Sequence, residues 1–460
     1  MPLSVVVLAA GQGKRMYSRL PKVLQPLAGR PMLAHVLERA RALGTEGIHV
    51  IYGHGGDEVC AAFADGDLTW HEQAEQLGTG HAVAQALPAI PDDHRVLVLL
   101  GDVPLISEAA LQALANPAEE PTLSLLTAEL DDPTGYGRVQ RGLDGSVIEI
   151  VEQADATDDQ RKIREINTGL MAAPAAELRD WIGRIDRRNA QGEYYLTDVV
   201  ALAASDGVKV VGVLIDDAAE AMGINDKLQL AAAERTLQRK LAESLMRSGV
   251  TIADPARIDV RGELTAGSDV FIDVDTVFIG KVRLGDGCRV GPHAVIGDSD
   301  IGPGTVVHAS SVVDGAEIGA GCEIGPFARL RPKTRLAAGV KIGNFVEVKK
   351  SGIGAGSKVN HLSYIGDTTI GERVNVGAGT ITCNFDGAMK HRTTIGDDVF
   401  VGSGVNLVAP IEIGVGATIG AGSTLTKDAP PGELSIARSR QTSVPGWKRP
   451  VKAPVKGPAK

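Results

Sequence analysis

The sequence predicts a two-part fold, an α/β half with a mostly parallel sheet followed by a parallel β-helix. Two observations carry this prediction. In the first half, short aliphatic runs alternate with longer amphipathic stretches, which is the pattern of strands and helices around a parallel sheet. In the second half, Leu, Ile or Val recurs at a near-fixed spacing of six residues, which neither a helix nor an ordinary strand produces.

The α/β half is predicted to cover residues 1–226. Its buried strands are expected at 4–10, 47–53, 95–100, 122–128 and 208–215, and its helices include 32–43 and 80–87. A linker helix is predicted over 227–249, where Asn225-Asp226 can cap the start and Gly249 ends the pattern. Leucines on or near one face mark this helix: Leu230, Leu237, Leu241 and Leu245.

The six-residue repeat runs over 284–376 and resumes over 395–425. The few steps of five fall after three steps or a multiple of three, which indicates a coil with three faces and one corner that is sometimes shorter. Gly follows many of the aliphatic residues, as in Ile296-Gly297, and suits corners because it tolerates positive φ. Hexapeptide repeats of this kind are typical of a parallel β-helix, here predicted over 250–437. A basic, Pro-rich tail that we expect to be mobile follows at 438–460.

Composition restricts the function. With 460 residues the chain is long enough for two or three domains, and its net charge of −10 argues against wholesale nucleic-acid binding. The four cysteines form no CxxC pair, so we expect reduced thiols. The N-terminal apolar run lacks a basic flank and is too short for a signal peptide or membrane span. We therefore expect a cytoplasmic protein without membrane insertion.

The first candidate site is the loop LAAGQGKR at residues 8–15, directly after the first predicted strand. Gly11 and Gly13 allow the backbone amides to approach an anion, and Arg15 and Lys22 add positive charge. The loop is neither a P-loop nor a dinucleotide fingerprint, because Met16 replaces the third Gly of the latter. Alone, the loop leaves a functional and a purely structural interpretation equally open.

Further residues extend this loop into a pattern that resembles the sugar-1-phosphate nucleotidylyltransferases and implies a Rossmann-like sheet. The matching positions are Pro21-Lys22, Gln73, Leu77-Gly78-Thr79, Gly101-Asp102, Gly137, Glu152, Asn167-Thr168-Gly169 and Asn225. In that chemistry a sugar phosphate attacks the α-phosphorus of a nucleoside triphosphate. The protein need only position the reactants and neutralise charge.

The resemblance implies a role for each position. Leu8, Ala9, Ala10, Gly11 and Gly101 hold the nucleotide; Gln73, Gly78 and Thr79 read uracil; Arg15 and Lys22 neutralise the triphosphate; Asp102 and Asn225 hold Mg²⁺; Gly137, Glu152 and Asn167 hold the sugar. Two structural alternatives stay open: Asp102 could cap a helix that begins near Ser107, and Lys22 could be a plain surface lysine. Leu100 replaces the family's aromatic residue before Gly-Asp, which leaves a detail of base or sugar packing open.

The second candidate site lies on the repeat region, where polar residues cluster: Arg331, Lys349, His361, Tyr364, Asn375 and Asn384. A lone His in a β-protein is more often structural than catalytic. The segment 360–364, together with an excursion from the repeat at 377–394, resembles the hexapeptide-repeat acyltransferases. That resemblance implies a left-handed β-helix and a homotrimer.

With both halves considered, the chain resembles the bacterial bifunctional N-acetylglucosamine-1-phosphate uridylyltransferase / glucosamine-1-phosphate acetyltransferase family. The family implies acetylation of glucosamine 1-phosphate by acetyl-CoA, then transfer of UMP from UTP to give UDP-N-acetylglucosamine. It assigns His361 as general base; Arg331, Lys349, Tyr364 and Asn375 to the sugar phosphate; and Ala378, Asn384, Phe385, Ser403, Ala421 and Arg438 to acetyl-CoA. Phe385 departs from the usual Tyr, and Cys383 is not needed as an acyl carrier.

Two rivals remain at this point. One is a different nucleotidylyltransferase whose β-helix is regulatory, such as a glucose-1-phosphate adenylyl- or uridylyltransferase; such enzymes lack the His361 cluster. The other is a non-catalytic subunit of a translation exchange factor, in which a degraded phosphate loop would be expected. The trimer has independent support, because outward positions of the repeat are often small: Ala337, Ala338, Ala355 and Ala421. The excursion is expected to reach a neighbouring subunit.

Overall fold

A computed structural model describes residues 1–53, 55–64 and 66–452. The predicted tail therefore lies outside the described residues from 453 onward. The chain forms two compact units, one of Met1–Arg247 with Pro255–Glu263 and one of Ser248–Asp254 with Leu264–Lys460. Among the described residues, no helix is both long enough and apolar enough to cross a membrane.

The first unit is built on a mixed sheet with parallel strands at its centre. Its main strands, in spatial order, are Lys209–Leu214, Thr122–Glu129, Glu165–Pro174, Arg95–Leu100, Leu3–Leu8, Gly47–Tyr52 and Leu68–Glu72. Glu165–Pro174 runs antiparallel to both neighbours. Gly137–Arg141 pairs with it and with Val147–Val151, and the short strands Pro26–Leu27 and Arg30–Pro31 pair separately.

Helices cover both faces of this sheet. They are Met32–Ala42, Gly56–Ala62, Thr79–Ala86, Glu108–Ala115, Ala175–Arg184 and Asp198–Ser205, whereas Lys227–Arg247 packs in a separate apolar cluster with Met16 and Leu27. The central strand Leu3–Leu8 alternates between two apolar clusters, with Val5 and Val7 in one and Val6 in the other. Burial on both faces explains why this strand reads as a continuous aliphatic run.

The predicted α/β order is confirmed, and the antiparallel strand Glu165–Pro174 is the main addition. Each predicted strand occurs within two residues of its expected bounds. Glu165–Pro174 contains Gly169 at a φ of +85° and a shift of register between Asn167 and Met171, so its sequence lacks the regular alternation of a strand.

The helix Lys227–Arg247 begins as predicted, because Asp226 Oδ1 accepts a hydrogen bond of 2.8 Å from the Gln229 amide. Its most buried residues are Ala233, Gln238 and Ala242, whereas Leu230 and Leu237 are partly buried. The Gln238 side chain pairs with the backbone of Val260 as a neighbouring strand would. Its oxygen accepts from the Val260 N–H at 2.7 Å, and its nitrogen donates to the Val260 C=O at 2.8 Å. The predicted leucine face is therefore only part of the buried face.

The second unit is the predicted parallel β-helix. One face consists of Thr251–Ile252, Phe271–Ile272, Arg289–Val290, Val306–Val307, Glu323–Ile324, Lys341–Asn344, Lys358–His361, Asn375–Val376, Phe400–Val401, Thr418–Ile419 and Leu434–Ser435. The other faces consist of Ile258–Ala266, Thr276–Leu284, Val295–Gly297, Asp300–Ile301, Val312–Asp314, Ala316–Ile318, Arg329–Leu330, Thr334–Leu336, Glu347–Lys349, Gly352–Ile353, Tyr364–Gly366, Thr368–Ile370, Ile381–Cys383, Thr393–Ile395, Asn406–Val408, Ile411–Ile413 and Thr424–Leu425.

Every aliphatic residue of the six-residue repeat points inward. The members of the two runs, from Leu284 to Val376 and from Ile395 to Leu425, are at most 5% exposed. Stacking of like aliphatic residues on successive coils forms one continuous apolar column. This column explains why the unit needs few aromatic residues.

Candidate active sites

The first candidate site is a cleft of about 390 Å³ at the carboxyl ends of the parallel strands in the first unit. Ligands of open α/β sheets characteristically bind at this edge. Its lining residues are Leu8, Ala9, Ala10, Gly11, Lys22, Val23, Gln73, Gln76, Gly78, Thr79, Ala82, Leu100, Asp102 and Glu193. The Gly101 amide donates to Leu8 O at 2.9 Å and thereby joins the ends of the strands Leu3–Leu8 and Arg95–Leu100.

Lys22 links the two predicted metal ligands. Its ammonium donates to Asp102 Oδ2 and, at 2.7 Å, to Asn225 Oδ1. The Lys22 side chain is only 10% exposed, so it is not a plain surface lysine. Ser107 caps the helix Glu108–Ala115 with its own hydroxyl, which removes the capping alternative for Asp102.

The same pair of oxygens fits a cation. Asp102 and Asn225 already share one ammonium, and Mg²⁺ prefers hard oxygen ligands while keeping waters and substrate oxygens in its remaining positions. No group of three or more His, Cys, Asp or Glu side chains suited to a metal occurs within the described ranges. A site with one carboxylate and one amide oxygen would not form such a group.

Gly13 is the glycine of the loop that the structure requires. It has a φ of +59°, and a Cβ there would lie 2.6 Å from Lys22 Cβ. A side chain at this position would therefore displace Lys22 from Asp102. Gly11, by contrast, faces open space, since a Cβ added there would have no neighbouring atom within 4 Å.

Gln73, Gly78 and Thr79, the residues predicted to read uracil, all line the cleft. Gln73 is 4% exposed, and its amide nitrogen donates to Gly78 O at 3.0 Å. Two further polar residues of the lining, Gln76 and Glu193, were not predicted. Gln76 donates to Ala10 O at 2.8 Å and so supports the loop; no local motif distinguishes either residue.

The predicted sugar residues form a second group that is not part of the cleft lining. Gly137 and Asn167 face each other in register on adjacent strands. Glu152 Oε1 accepts a hydrogen bond of 3.0 Å from the Thr197 hydroxyl, a contact that the sequence did not reveal. Burial raises the pKa of Glu152, partly offset by this hydrogen bond. Arg15 is exposed on the turn Lys14–Met16 and lies outside the cleft lining, so its role stays a prediction.

The second candidate site is centred on His361 at the end of the strand Lys358–His361. Asn344 is its register partner on the preceding coil, and Asn344 Oδ1 lies 3.1 Å from His361 Nδ1. Because the amide oxygen accepts, Nδ1 carries the hydrogen and the Nε2 lone pair is free to take a proton. Asn344 was missed from the sequence because only strand register brings it to His361.

Cationic side chains cluster on the face of the β-helix that is next to the face of His361. Close approach of the Lys390 ammonium, with added repulsion from Arg331, lowers the pKa of Lys349. Arg331 also pairs with Glu347 at 2.8 Å. A Cβ on Gly366 would lie 2.5 Å from the Tyr364 hydroxyl and 2.8 Å from Asn384 Nδ2, so both polar groups flank that glycine. The predicted residues Arg331, Lys349, Tyr364 and Asn384 thus lie on neighbouring coils.

Four predicted acetyl-CoA residues follow His361 along one corner of the β-helix. Backbone hydrogen bonds connect His361 O to Gly379 N, Ala378 O to Gly404 N, and Ser403 O to Gly422 N. Arg438 Nη1 continues the column by donating to Ala421 O at 2.8 Å. Since strands of adjacent coils are about 4.8 Å apart, the column extends roughly 15 Å from His361 to Ala421. Asn375, on the face that ends at this corner, is half-buried.

Phe385 projects from a compact hairpin within the excursion. The His391 amide donates to Asn384 O at 2.8 Å. The Asp386 carboxylate accepts from the amides of Ala388 and Met389 and from His391 Nε2. These hydrogen bonds, led by that from the Met389 amide, hold the pKa of Asp386 well below its usual range. Phe385 is 58% exposed.

A larger open depression of about 520 Å³ on the β-helix contains none of the predicted site residues. Its charged residues pair with one another, Arg283 with Asp300 and Arg335 with Glu317. We therefore interpret it as a solvent-exposed face lined by ion pairs.

Comparison with known proteins agrees with the two units. Residues 5–165 match the family described as MobA-like NTP transferase domain, and residues 267–298 and 392–427 match the bacterial transferase hexapeptide repeats. Proteins named "Bifunctional protein GlmU" are similar over nearly their full length. That of Alkalilimnicola ehrlichii is 59% identical over 99% of this chain and 98% of its own. Those of Azoarcus sp. and Marinobacter nauticus are 57% and 55% identical over 98% of this chain and 100% of theirs.

Proposed function

Because this chain belongs to the family of bifunctional GlmU proteins, we propose that its two units catalyse consecutive reactions on one sugar. The predicted bifunctional enzyme, a glucosamine-1-phosphate acetyltransferase joined to an N-acetylglucosamine-1-phosphate uridylyltransferase, is confirmed by the near-full-length identity and the two matched domains. The β-helix acetylates glucosamine 1-phosphate with acetyl-CoA. The α/β unit then converts the product and UTP to UDP-N-acetylglucosamine and pyrophosphate.

In uridylyl transfer, the residues of the cleft position two anions and offset their charge. Gly11 leaves space for the nucleotide at the loop, while Gln73 and Gly78 stand where the base binds. Lys22 supplies a nearly buried ammonium for the phosphates. Glu152 and Asn167 hold the sugar, with Thr197 orienting the Glu152 carboxylate. In-line attack on the α-phosphorus needs no protein nucleophile.

Asp102 and Asn225 would hold Mg²⁺ in this reaction. The bound ion supplies positive charge that offsets the triphosphate and the leaving pyrophosphate. Lys22 now donates to both ligands, so we infer that its ammonium moves toward the phosphates when the substrate complex forms.

In acetyl transfer, His361 is the general base. Asn344 holds Nδ1–H, so Nε2 takes the proton from the glucosamine amine as its nitrogen attacks the thioester carbonyl. The C–S bond breaks, and coenzyme A leaves as its thiolate. Arg331 and Lys349 bind the sugar phosphate, and the corner column from Ala378 to Arg438 receives the extended cofactor.

The acetyltransferase acts as a homotrimer in this proposal. Two exposed aromatic residues support it: Phe327 and Phe345 stack with centroids 5.3 Å apart and are 52% and 55% exposed. Both sit at positive φ, a conformation that large side chains rarely adopt. Leu362, next to His361, is also exposed at positive φ. A second chain covering these residues would bury an apolar edge adjoining the catalytic base.

Other parts of the proposal rest on the sequence. We keep the domain boundaries 1–226, 227–249, 250–437 and 438–460, with small-molecule substrates, no nucleic-acid partner and a cytoplasmic location. The rival with a regulatory β-helix is disfavoured by one observation in particular, the hydrogen bond that leaves His361 Nε2 free. This hydrogen bond is the observation that carries the acetyltransferase assignment.

One incubation tests the whole function. The purified chain is mixed with glucosamine 1-phosphate, acetyl-CoA, UTP and Mg²⁺, and the products are read by mass spectrometry. We expect UDP-N-acetylglucosamine, with omission of acetyl-CoA abolishing it. Formation of a nucleotide sugar without prior acetylation as the main product would contradict the proposed order.

A further inference from the structure

We propose that His81 fixes the orientation of the Gln73 amide and thereby makes the nucleotide cleft select uracil over cytosine. This inference rests on the proposed uridylyl transfer and concerns its base specificity. Gln73 Nε2 lies 3.0 Å from Gly78 O and 3.1 Å from His81 Nδ1. Gln73 itself is 4% exposed and lines the cleft.

The two contacts determine which end of the amide faces inward. Gly78 O is a carbonyl and can only accept, so the atom beside it must be the NH₂ nitrogen of Gln73. The second hydrogen of that nitrogen meets His81 Nδ1, which must therefore be an unprotonated acceptor. Both Gln73 hydrogens are thus used within the protein. The amide oxygen has no hydrogen-bond partner among residues 1–53, 55–64 and 66–452.

Contacts with Tyr194 hold the His81 ring in place. It stacks on Tyr194 with centroids 6.4 Å apart and an interplanar angle of 29°. The Gly80 amide donates to Tyr194 O at 2.9 Å, and the Arg187 guanidinium lies 5.7 Å from the centre of the Tyr194 ring. The backbone and both side chains of this segment therefore keep Nδ1 directed at Gln73.

Gln85 is the remaining neighbour of the imidazole. Its Nε2 lies 3.2 Å from His81 Nε2 and 3.0 Å from His81 O. With Nδ1 as the acceptor, a neutral imidazole carries its hydrogen on Nε2. Gln85 is half-exposed, so its side chain can swing toward solvent and leave that hydrogen free. Gln73 is buried, and turning its amide would point the oxygen at two acceptors.

The consequence is a fixed acceptor facing the base. Uracil presents an N3–H donor, which an amide oxygen can accept, whereas cytosine presents a lone pair at N3, which the oxygen repels. A turned amide would instead offer its NH₂ to cytosine. Sites built around a specific hydrogen bond reject analogues that leave buried polar groups unpaired. His81 touches neither base nor phosphate in this account and is a positioning residue.

The test is the ratio of kcat/KM for UTP to that for CTP, with N-acetylglucosamine 1-phosphate and Mg²⁺. His81→Phe keeps a ring to stack on Tyr194 but lacks the acceptor, and His81→Ala is the second variant if the larger ring disturbs folding. We expect the ratio to fall by about tenfold, the equivalent of one lost hydrogen bond. His81→Asn places an amide oxygen near the former Nδ1 and should restore the ratio. Gln85→Ala is the matched control and should leave it unchanged.

Urea unfolding of the first unit reports whether each variant is folded around the cleft, because acetyl transfer takes place in the other unit. A ratio that stays at the wild-type value in folded His81→Phe and His81→Ala would overturn the inference alone. A fall that His81→Asn fails to reverse would also overturn it, because a merely structural role of the ring would produce that result. Absence of uridylyl transfer in the wild-type chain would overturn the proposed function and this inference with it.

Discussion

Lys22 Nζ lies 2.7 Å from Asn225 Oδ1, although 203 positions separate the two residues along the chain. The same ammonium also donates to Asp102. Three strand-to-loop connections of the first unit therefore meet at one point, where a positive charge already sits between two oxygen ligands. The electrostatics of the cleft depend on this arrangement, and its disruption gives the first prediction.

Asp102→Ala should abolish uridylyl transfer and leave acetyl transfer near the wild-type rate. The substitution removes the only charged ligand of the proposed metal site and leaves Lys22 without its carboxylate partner. Each half-reaction is assayed alone, and the exposed Asp131→Ala in the same unit is the control. Loss of both activities in a folded Asp102→Ala protein would contradict the assignment of two separate sites.

His361→Ala should have the reverse effect. Removal of a general base typically slows a reaction by about 10²–10⁴-fold, so acetyl transfer should fall by that order with uridylyl transfer intact. His293→Ala, an exposed histidine of the same β-helix, should change neither rate. Near-normal acetyl transfer by His361→Ala would return this residue to a structural role.

Asn344→Ala tests the orientation of that base. Loss of the 3.1 Å contact to Nδ1 removes the group that selects the Nε2 lone pair, and one hydrogen bond corresponds to about a tenfold effect. We expect acetyl transfer to fall by that amount, less than in His361→Ala. A double variant should be no slower than His361→Ala alone, because Asn344 acts through the imidazole. An additive loss in the double variant would assign Asn344 an independent role.

His49 should make the first unit sensitive to acid. Burial, with added repulsion from His71 and His94, lowers the pKa of His49 from 6.5 to about 4. As the pH falls, the unfolded state therefore binds the proton first. The free energy of unfolding is therefore undiminished above pH 6.5 and decreases as the pH falls toward 4. This lowering of the pKa corresponds to a contribution on the order of 3 kcal/mol to the free energy of unfolding.

Urea unfolding of the first unit at pH 7.5 and pH 5 measures this effect. His49→Gln should lose less stability over that interval than the wild-type chain, because it cannot be protonated. His293→Gln, whose histidine is exposed, serves as the control. An equal loss in wild type and His49→Gln would show that other groups cause the acid sensitivity.

The proposed trimer implies a shared acetyltransferase site. His361→Ala and a deletion of residues 380–392 are each expected to be inactive in acetyl transfer. After subunit exchange under mild dissociating conditions, mixed trimers should recover part of the activity, because one chain supplies His361 and another supplies the hairpin with Asn384. No recovery despite proven exchange would mean that each chain builds its site alone, and a monomeric mass in solution would refute the trimer.

The fold could be predicted from the sequence where a pattern repeats. The inward positions from Leu284 to Leu425 identify the β-helix because each coil must bury the same aliphatic column. The strand Glu165–Pro174 was missed because Gly169 and a register shift interrupt it. The edge strand Leu68–Glu72 is only half-buried, so it has no continuous aliphatic run, and its alternation extends over only five residues.

The resemblance assigned the candidate site residues, whereas the tertiary contacts that orient them could not be predicted. Asn344 reaches His361 only through the pairing of strands on adjacent coils. Thr197 reaches Glu152 across 45 positions, and His81 stacks on Tyr194 across the sheet edge. Such partners carry no local motif, since their positions are decided by register and packing.

The measurement that tests the central claim most directly mixes the two single-site variants. Asp102→Ala and His361→Ala are incubated separately and together with glucosamine 1-phosphate, acetyl-CoA, UTP and Mg²⁺, and UDP-N-acetylglucosamine is quantified by mass spectrometry. Two independent sites acting in sequence predict accumulation of N-acetylglucosamine 1-phosphate with Asp102→Ala, little product with His361→Ala, and UDP-N-acetylglucosamine from the mixture. A mixture that forms no UDP-N-acetylglucosamine, while each variant retains its own half-reaction, would contradict the account.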